Sequence, residues 1–415
     1  MKFKLRPAER KWVLYDVGNS AFTLLVTTIM PIYFNALAGG QGLSDIDYLA
    51  YWGYATSIAT LIVAVCGPIL GTVSDFPGWK RKLFSISVLV GMLGCVCLGM
   101  ISSWLWFLVV FVIAKSAYSV SLVFYDSMLP DVTDPERMDK VSANGYAWGY
   151  IGSCVPFLLA LVLVLGYDYI GLSQRLAMFL AFLLVAVWWL LLTLPLLRVY
   201  EQKHFVPAVS NPAAETFRRL GRVFSELADN RQVLLFLVAF FFYIDGVYTI
   251  IDMATVYGTA LGLDSTGLLL ALLVTQIVAF PAALIFGRLT ERFSNRKLIL
   301  ICIGAYFAIT LYGMGLKEQY QFWVLAICVG LFQGAIQSLS RSYFARIIPP
   351  EKSGEYFGLY DICGKGASFL GTFTVSFVSQ AAGSVNLGVG ALAFMFALGA
   401  LFFILADRAG EKAGA

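Results

Sequence analysis

Two aspartates, Asp245 and Asp252, stand inside FFFYIDGVYTIIDMATV (240–256), a run otherwise apolar enough to lie in lipid. A charged side chain at mid-bilayer costs about 2.5–3.5 kcal/mol on insertion scales, so a helix with two of them must give them a use. Lys115, Asp361 and Lys365 also sit inside apolar runs, as do Asp16, Asn19, Asp126, Gln333, Gln337 and Arg341. Such groups offer three kinds of chemistry. A lysine can hold a carboxylate and an aspartate an amine, which together would take a zwitterion. A buried carboxyl can carry a proton, because burial disfavours its charged form. Opposite charges on facing helices can pair and part. Other chemistries lack their residues. The seven cysteines all fall in apolar runs without metal-ligand spacing, so neither a metal centre nor structural disulfides are expected. His204, the single histidine, lies in a connection, which argues against a buried histidine relay. No Ser/His/Asp or Cys/His set suggests an enzyme, and no Walker-type glycine loop suggests an ATP-driven pump. No cofactor and no nucleic acid are expected.

Elements must hold these groups in the membrane. The 415 residues are 60% hydrophobic and 13% charged, with mean hydropathy +0.80. That balance marks an all-α polytopic membrane protein. A helix crosses the hydrocarbon with about 20 apolar residues. Twelve stretches qualify: 12–38, 47–74, 82–102, 104–129, 140–166, 171–197, 231–262, 265–290, 297–316, 320–348, 354–382 and 386–406. The first resembles a signal peptide, with MKFKLRPAERK before it and Ala-Leu-Ala at 36–38, but it is too long and carries Asp16, Asn19 and Pro31. Arg175 and Lys317 lie on one side of the membrane, and Lys115, Arg341 and Lys365 lie inside helices. Every other Lys and Arg falls at the N-terminus, in an even-to-odd connection or in the C-terminal tail. Both termini are therefore expected in the cytoplasm.

The longest connection, 198–230, divides the chain into six-helix bundles at 1–197 and 231–415. Within it, NPAAETFRRLGRVFSELADN reads as an amphipathic helix, capped by Asn211, opened by Pro212, with Phe217, Leu220, Phe224 and Leu227 on one face. It is expected to lie on the inner membrane surface rather than to bind a partner. The bundles repeat. DSMLPDVTDPER (126–137) and RSYFARIIPPEK (341–352) align at an offset of 215. Such six-helix duplication is typical of secondary transporters with a site near mid-membrane between the halves.

Helical periodicity groups the polar residues into stripes. Helix 7 carries Asp245, Tyr248, Thr249, Asp252 and Thr255; helix 1 carries Asp16, Asn19, Ser20, Thr23 and Thr27. Helix 10 carries Gln333, Gln337 and Arg341, helix 4 Lys115, Ser119 and Asp126, and helix 11 Asp361, Lys365, Ser368 and Thr372. Stripes of this kind line a watered cavity or pack on a polar neighbour.

The connection between helices 2 and 3 reads GTVSDFPGWKRK (71–82), with Gly71, Asp75, Gly78, Lys80, Arg81 and Lys82 at fixed spacing. A degenerate copy, GRLTERFSNRK (287–297), supplies Gly287, Glu291 and Arg296 between helices 8 and 9. Glycine lets helices and a tight turn approach closely, and Asp75 can accept from a neighbouring helix N-terminus or from the basic cluster. The loop resembles the signature of the major facilitator superfamily. WVLYDVGNSAF, FYIDGVYTII and YFGLYDICGKGASFLG (356–371) resemble its vacuole-effluxer-like branch, which holds fungal vacuolar amino-acid effluxers and bacterial relatives of unassigned substrate. The resemblance implies that helices 1, 4, 7 and 10 line a central cavity.

Depth then separates the expected roles. Asp245 lies roughly 21 Å along its helix from Arg231, and Lys115 and Lys365 each lie about 11 residues from a helix start. Asp245, Lys115, Lys365, Asp361, Asn19, Tyr248, Gln333 and Gln337 are the candidates for substrate or proton binding, although Asp361 and Lys365 at i,i+4 can also satisfy each other. Asp126, Arg341, Asp16 and Asp252 are the candidates for gates. Asp126 and Arg341 could meet across the inner mouth, or each could stay in its own half, with Arg81 and Glu291 respectively. The expected function is secondary active transport of a small polar or zwitterionic solute. Amino-acid or peptide efflux with proton coupling comes first, by a monomer in a bacterial inner membrane. Organic-anion or drug movement is the alternative within transport, and a receptor or scaffold the alternative outside it.

Overall fold

The computed structural model describes residues 3–43, 45–207 and 212–413, apart from the side chains of 32, 45–50, 212–214, 217, 220, 224, 255–256, 259–260, 265–266, 269, 365–369 and 412–413. The first span is not one straight helix. It begins at α1 (Pro7–Thr27), breaks at Thr28 and resumes as α2 (Ile29–Gly39). Pro31 explains the break, since its ring clashes with the carbonyl four residues back, that of Thr27. Thr27 and Thr28 hydroxyls turn back onto the Leu24 carbonyl.

The chain continues through α3 (Asp45–Ser74), α4 (Trp79–Leu98), α5 (Trp104–Ser127), a single turn α6 (Leu129–Val132), α7 (Met138–Leu165), a turn α8 (Tyr167–Ile170) and α9 (Gln174–Val199). The connection carries α10 (Pro212–Asp229). The second half follows as α11 (Arg231–Ala260), α12 (Ser265–Leu289), α13 (Asn295–Gly313), α14 (Gln319–Ile347), α15 (Ser353–Ala382) and α16 (Val385–Ala413). Eleven of the spans are long and apolar enough to cross a membrane by length and composition over the described residues, and α15, with 30 residues, makes twelve. The two six-helix bundles of the sequence reading are present. The clearest shift in boundaries is at the end, where α16 runs past the expected stop at 406 to Ala413.

Each bundle has an aromatic centre. In the first, Trp12 stacks on Tyr125 at 4.3 Å, and Tyr15 packs on Phe84 and Tyr125. In the second, Phe236, Phe240, Phe344 and Tyr360 stack on one another. Between the bundles, α3 packs on α15, and α7 on α12 and α14. Asn211 lies outside the described residues, as do the side chains of Phe217, Leu220 and Phe224. Leu227 is buried, and with it, on the same face, Thr216, Arg219 and Val223. So α10 is amphipathic as expected, but an arginine occupies part of its inner face.

Candidate functional site

The close contacts between the bundles cluster at the end that carries the linker. A Cβ on Gly71 would stand 2.2 Å from the Gly354 carbonyl oxygen, so only glycine lets α3 and α15 touch there. Asp75, fully buried, accepts the backbone N–H of Gly354 at 2.7 Å and of Glu355 at 3.0 Å. A carboxylate at a helix N-terminus satisfies its free donors and its dipole. Gly78, at φ +74°, makes the turn into α4 that brings Lys80 back beneath Asp75. Lys80 is buried, not on the loop surface as its place in a basic cluster suggests; it donates to Ser353 Oγ at 2.8 Å and to the Ser127 carbonyl at 3.2 Å. Arg81 and Lys82 remain exposed. Burial pushes the Asp75 carboxyl up to about 6, against the opposing pull of Lys80, Arg219 and the two backbone donors.

The degenerate copy does the same task differently. Gly287 lies against Ala143, and Glu291 pairs with the side chain of Lys140 near the start of α7. Arg296 turns away to Asp407 at 2.5 Å and Glu411 at 3.4 Å. Asp139 joins this junction by accepting from Asn295, Ser342 and Arg346.

Deeper, Arg341 crosses from the second bundle into the first. Its side chain is 2% exposed and lies 2.9 Å from Asp126 and 3.5 Å from Asp16. It also donates to Ser142 Oγ at 2.9 Å and to the Ser142 carbonyl at 3.1 Å. Tyr146, Trp12 and Tyr125 surround the guanidinium at 4.3, 4.6 and 5.5 Å. Of the two pairings open at the inner mouth, the structure therefore has the one across the halves. Asp126 is not with Arg81, nor Arg341 with Glu291. Asp16, one of the gate candidates, is buried beside this arginine.

Above the arginine lies an aromatic and polar floor. Tyr150 donates to Gln337 at 2.8 Å, and Gln333 is buried beside it. Tyr118 and Thr23 share a hydrogen bond at 2.6 Å. Tyr248 has Tyr118, Asp361, Asp126 and Asp252 as electrostatic neighbours, so residues of both bundles meet here. Thr23, Thr27 and Asp252 are exposed, while Lys115 and Asp361 are half-buried. Lys115 is the cation that acts on Asp252 across the divide, and it also lies 5.7 Å from the Phe111 ring. Asn19 is buried one turn beyond Asp16. The side chain of Lys365 lies outside the described residues, as do those of Thr255 and Ser368.

One expected cavity residue is elsewhere. Asp245 is fully buried, taking the Gly371 N–H at 3.1 Å and the Thr249 hydroxyl at 3.3 Å. Next to it Gly246 faces Phe396 of α16. Asp245 and Asp252 share a helix face by periodicity, but α15 covers that face at Asp245, whereas two turns further along it is open.

Two clusters escaped the sequence reading. Arg219 of α10 reaches into the Asp75 junction, 3.4 Å from Asp75, and pairs with Glu355. Its signal was an arginine at the edge of the apolar stripe of an amphipathic helix. Asp131 accepts from Tyr200 at 2.6 Å and lies 3.7 Å from Lys80 and 3.0 Å from His204 Nδ1. Burial alone would raise the Asp131 carboxyl, but the His204 and Tyr200 hydrogen bonds and the Lys80 charge hold it below its ordinary value. The same bond to Asp131 raises His204.

The arrangement is two pseudo-symmetric bundles tied together by buried ion pairs at the linker end, with charged side chains of both bundles facing each other beyond, which suits a transporter. Residues 6–414 match the family described as vacuole effluxer Atg22 like. The uncharacterized MFS-type transporter YxiO of Bacillus subtilis (strain 168) is 39% identical over 94% of this chain and 92% of its own length. Autophagy-related protein 22 of Coccidioides immitis (strain RS) is 24% identical over 88% of this chain and 73% of its own. A bacterial homologue of the iron transporter ferroportin in an outward-facing state superposes with TM-score 0.73 at 15% identity, over 97% of this chain and 100% of the other. The human organic anion transporter MFSD10 (TETRAN) superposes with TM-score 0.69 at 14% identity, over 96% and 100%. These structural likenesses show the fold. With the family match over nearly its whole length, the chain belongs to the vacuole effluxer Atg22-like family of major facilitator superfamily transporters, an integral membrane protein and not an enzyme.

Proposed function

We propose that this transporter moves small zwitterions, amino acids or short peptides, outward by proton-coupled alternating access. It would do so as a monomer in a bacterial inner membrane with both termini cytoplasmic. The observation that carries the substrate class is that Lys115 and Asp252, from opposite bundles, act on each other while Asp252 is exposed and Lys115 half-buried. A zwitterion can divide itself between them, its carboxylate to Lys115 and its amine to Asp252. The family description, vacuole effluxer Atg22 like, supports efflux. An anion-selective cavity would need central cations left to the substrate, but among the described side chains Arg341 is committed to Asp126 and Asp16, and Lys115 faces Asp252. Under this reading the Asp126–Arg341 pair is the inner gate, and the 1–197 and 231–415 bundles rock about it.

The test is counterflow in proteoliposomes with a panel of labelled amino acids, run beside Lys115→Gln and Asp252→Asn proteins. Saturable exchange of one class, reduced about tenfold or more in each variant, is expected, since a hydrogen bond to a charged group contributes about 1.5–3 kcal/mol. Exchange untouched by both substitutions, or no exchange of any amino acid, overturns the reading.

A further inference from the structure

At the shut end two carboxylates share one buried arginine. Asp16 and Asp126 come from the first bundle, Arg341 from the second. With both carboxylates ionised, the cluster would hold one more negative charge than positive. An uncompensated charge taken out of water is costly, so a dehydrated group of this kind binds a proton instead. The groups facing Asp16 are Tyr118, Tyr125 and Asp126 of α5, Tyr146 and Tyr150 of α7 and Arg341 of α14. Tyr15 and Asn19 flank it on its own helix, and α9 presents Trp188 and Trp189 to α1. Asp131 of α6 is occupied by Lys80 and His204. Among the described residues, Arg341 is the cation facing Asp16.

The geometry also chooses between the carboxyls. Asp126 is the nearer to the guanidinium, at 2.9 Å against 3.5 Å, and the Asp126 side chain is 19% exposed against 10% for Asp16. Asp126 is therefore the closer partner of Arg341 and the better solvated anion. We infer that Asp16, Asp126 and Arg341 form a one-proton site in which Asp16 holds the proton while the gate is shut. This deepens the reading of proton-coupled transport and rests on it for its role in the cycle. Parting of the halves withdraws Arg341 from both carboxyls at once, so proton binding and gate closure are linked through one side chain.

Infrared difference spectra of the purified protein, titrated with acid and base, test the site without a substrate. The C=O stretch of a protonated carboxyl is expected in the wild type near neutral pH. Asp16→Asn removes it. Asp126→Asn removes it too, because Asp16 is then the one counter-ion of Arg341 and ionises. Asp16→Glu shifts the band and Asp126→Glu does not, which also covers the case in which Asp16→Asn fails to fold. A band unchanged by Asp16→Asn or Asp16→Glu, or one shifted by Asp126→Glu, overturns the inference. In proteoliposomes, one coupled proton supports about a tenfold substrate ratio per unit of pH gradient, since a pH unit is worth 1.36 kcal/mol. Asp16→Asn should support none. If the amino-acid panel fails but the bands behave as stated, the substrate reading falls and the proton site stands. If exchange proceeds but the band is absent, the proton site falls alone.

Discussion

Arg219→Gln is the most direct probe of how the linker governs the shut end. Arg219 is 5% exposed on its side chain and touches carboxylates of both bundles, Asp75 at 3.4 Å and Glu355. When the bundles part at this end, the arginine can stay with one of them only. The shut state therefore gains one buried, charged contact relative to the open one. Asp75 keeps the Gly354 and Glu355 N–H groups and Lys80 at 4.0 Å whether or not Arg219 is present, so the loss is confined to that contact. A hydrogen bond to a charged group contributes about 1.5–3 kcal/mol, which corresponds to a shift of roughly 10- to 150-fold in the ratio of shut to open. Spin labels at Arg81 and Arg292, exposed positions in the two signature loops, report the distance between bundles. The expected result is a new long-distance population in Arg219→Gln. Arg222→Gln is the control, because Arg222 is exposed and pairs with Glu215 of its own helix. An unchanged distance distribution, or the same change in the control, would refute the argument that Arg219 holds the halves together.

Three further outcomes follow from the same geometry. Gly71→Leu should abolish the shut state, because even the first side-chain carbon would stand 2.2 Å from the Gly354 carbonyl; transport should fall while the amount of folded protein holds, and normal transport would count against the close approach. His204, raised by Asp131, contributes fully below its ordinary value of about 6.5 and loses that contribution as pH climbs through the raised one. The melting-temperature gap between wild type and His204→Gln should therefore be widest in acid and close in alkali, reflecting less than about 1 kcal/mol for this partly exposed pair. Asp245→Asn should leave counterflow within about twofold, whereas Asp252→Asn should lower it about tenfold, the loss of one charged hydrogen bond. A larger effect at Asp245 would return that residue to the transport path.

How much of this could be read from the chain depends on the range of the interaction. Apolar length and period depend only on neighbours along a helix, so the twelve spans and the two-bundle repeat were visible in the sequence. The offset of 215 that pairs Asp126 with Arg341 was visible as well, because duplication leaves its mark in sequence. The signature loop announced Gly71 and Asp75. What the loop touches was left open between a helix N-terminus and the basic cluster, and Asp75 in fact has both, in Gly354, Glu355 and Lys80.

Tertiary structure decided the rest. Asp245 and Asp252 share one helix face, and periodicity cannot tell them apart; the packing of α15 across that face at Gly371 buries one and leaves the other open. Lys80, Arg81 and Lys82 are equivalent as a basic run, but the turn at Gly78 drives the first inward and leaves the others in solvent. Arg219 reads as one arginine of three in an amphipathic helix until its carboxylate partners arrive, Asp75 from the end of α3 and Glu355 from α15. A charge's meaning in this protein lies in what desolvates and opposes it, and for Arg219 those groups come from segments more than a hundred residues away. The sequence determined where the membrane is crossed and which charges enter it; the packing of the bundles determined which of those charges face water, a gate or each other.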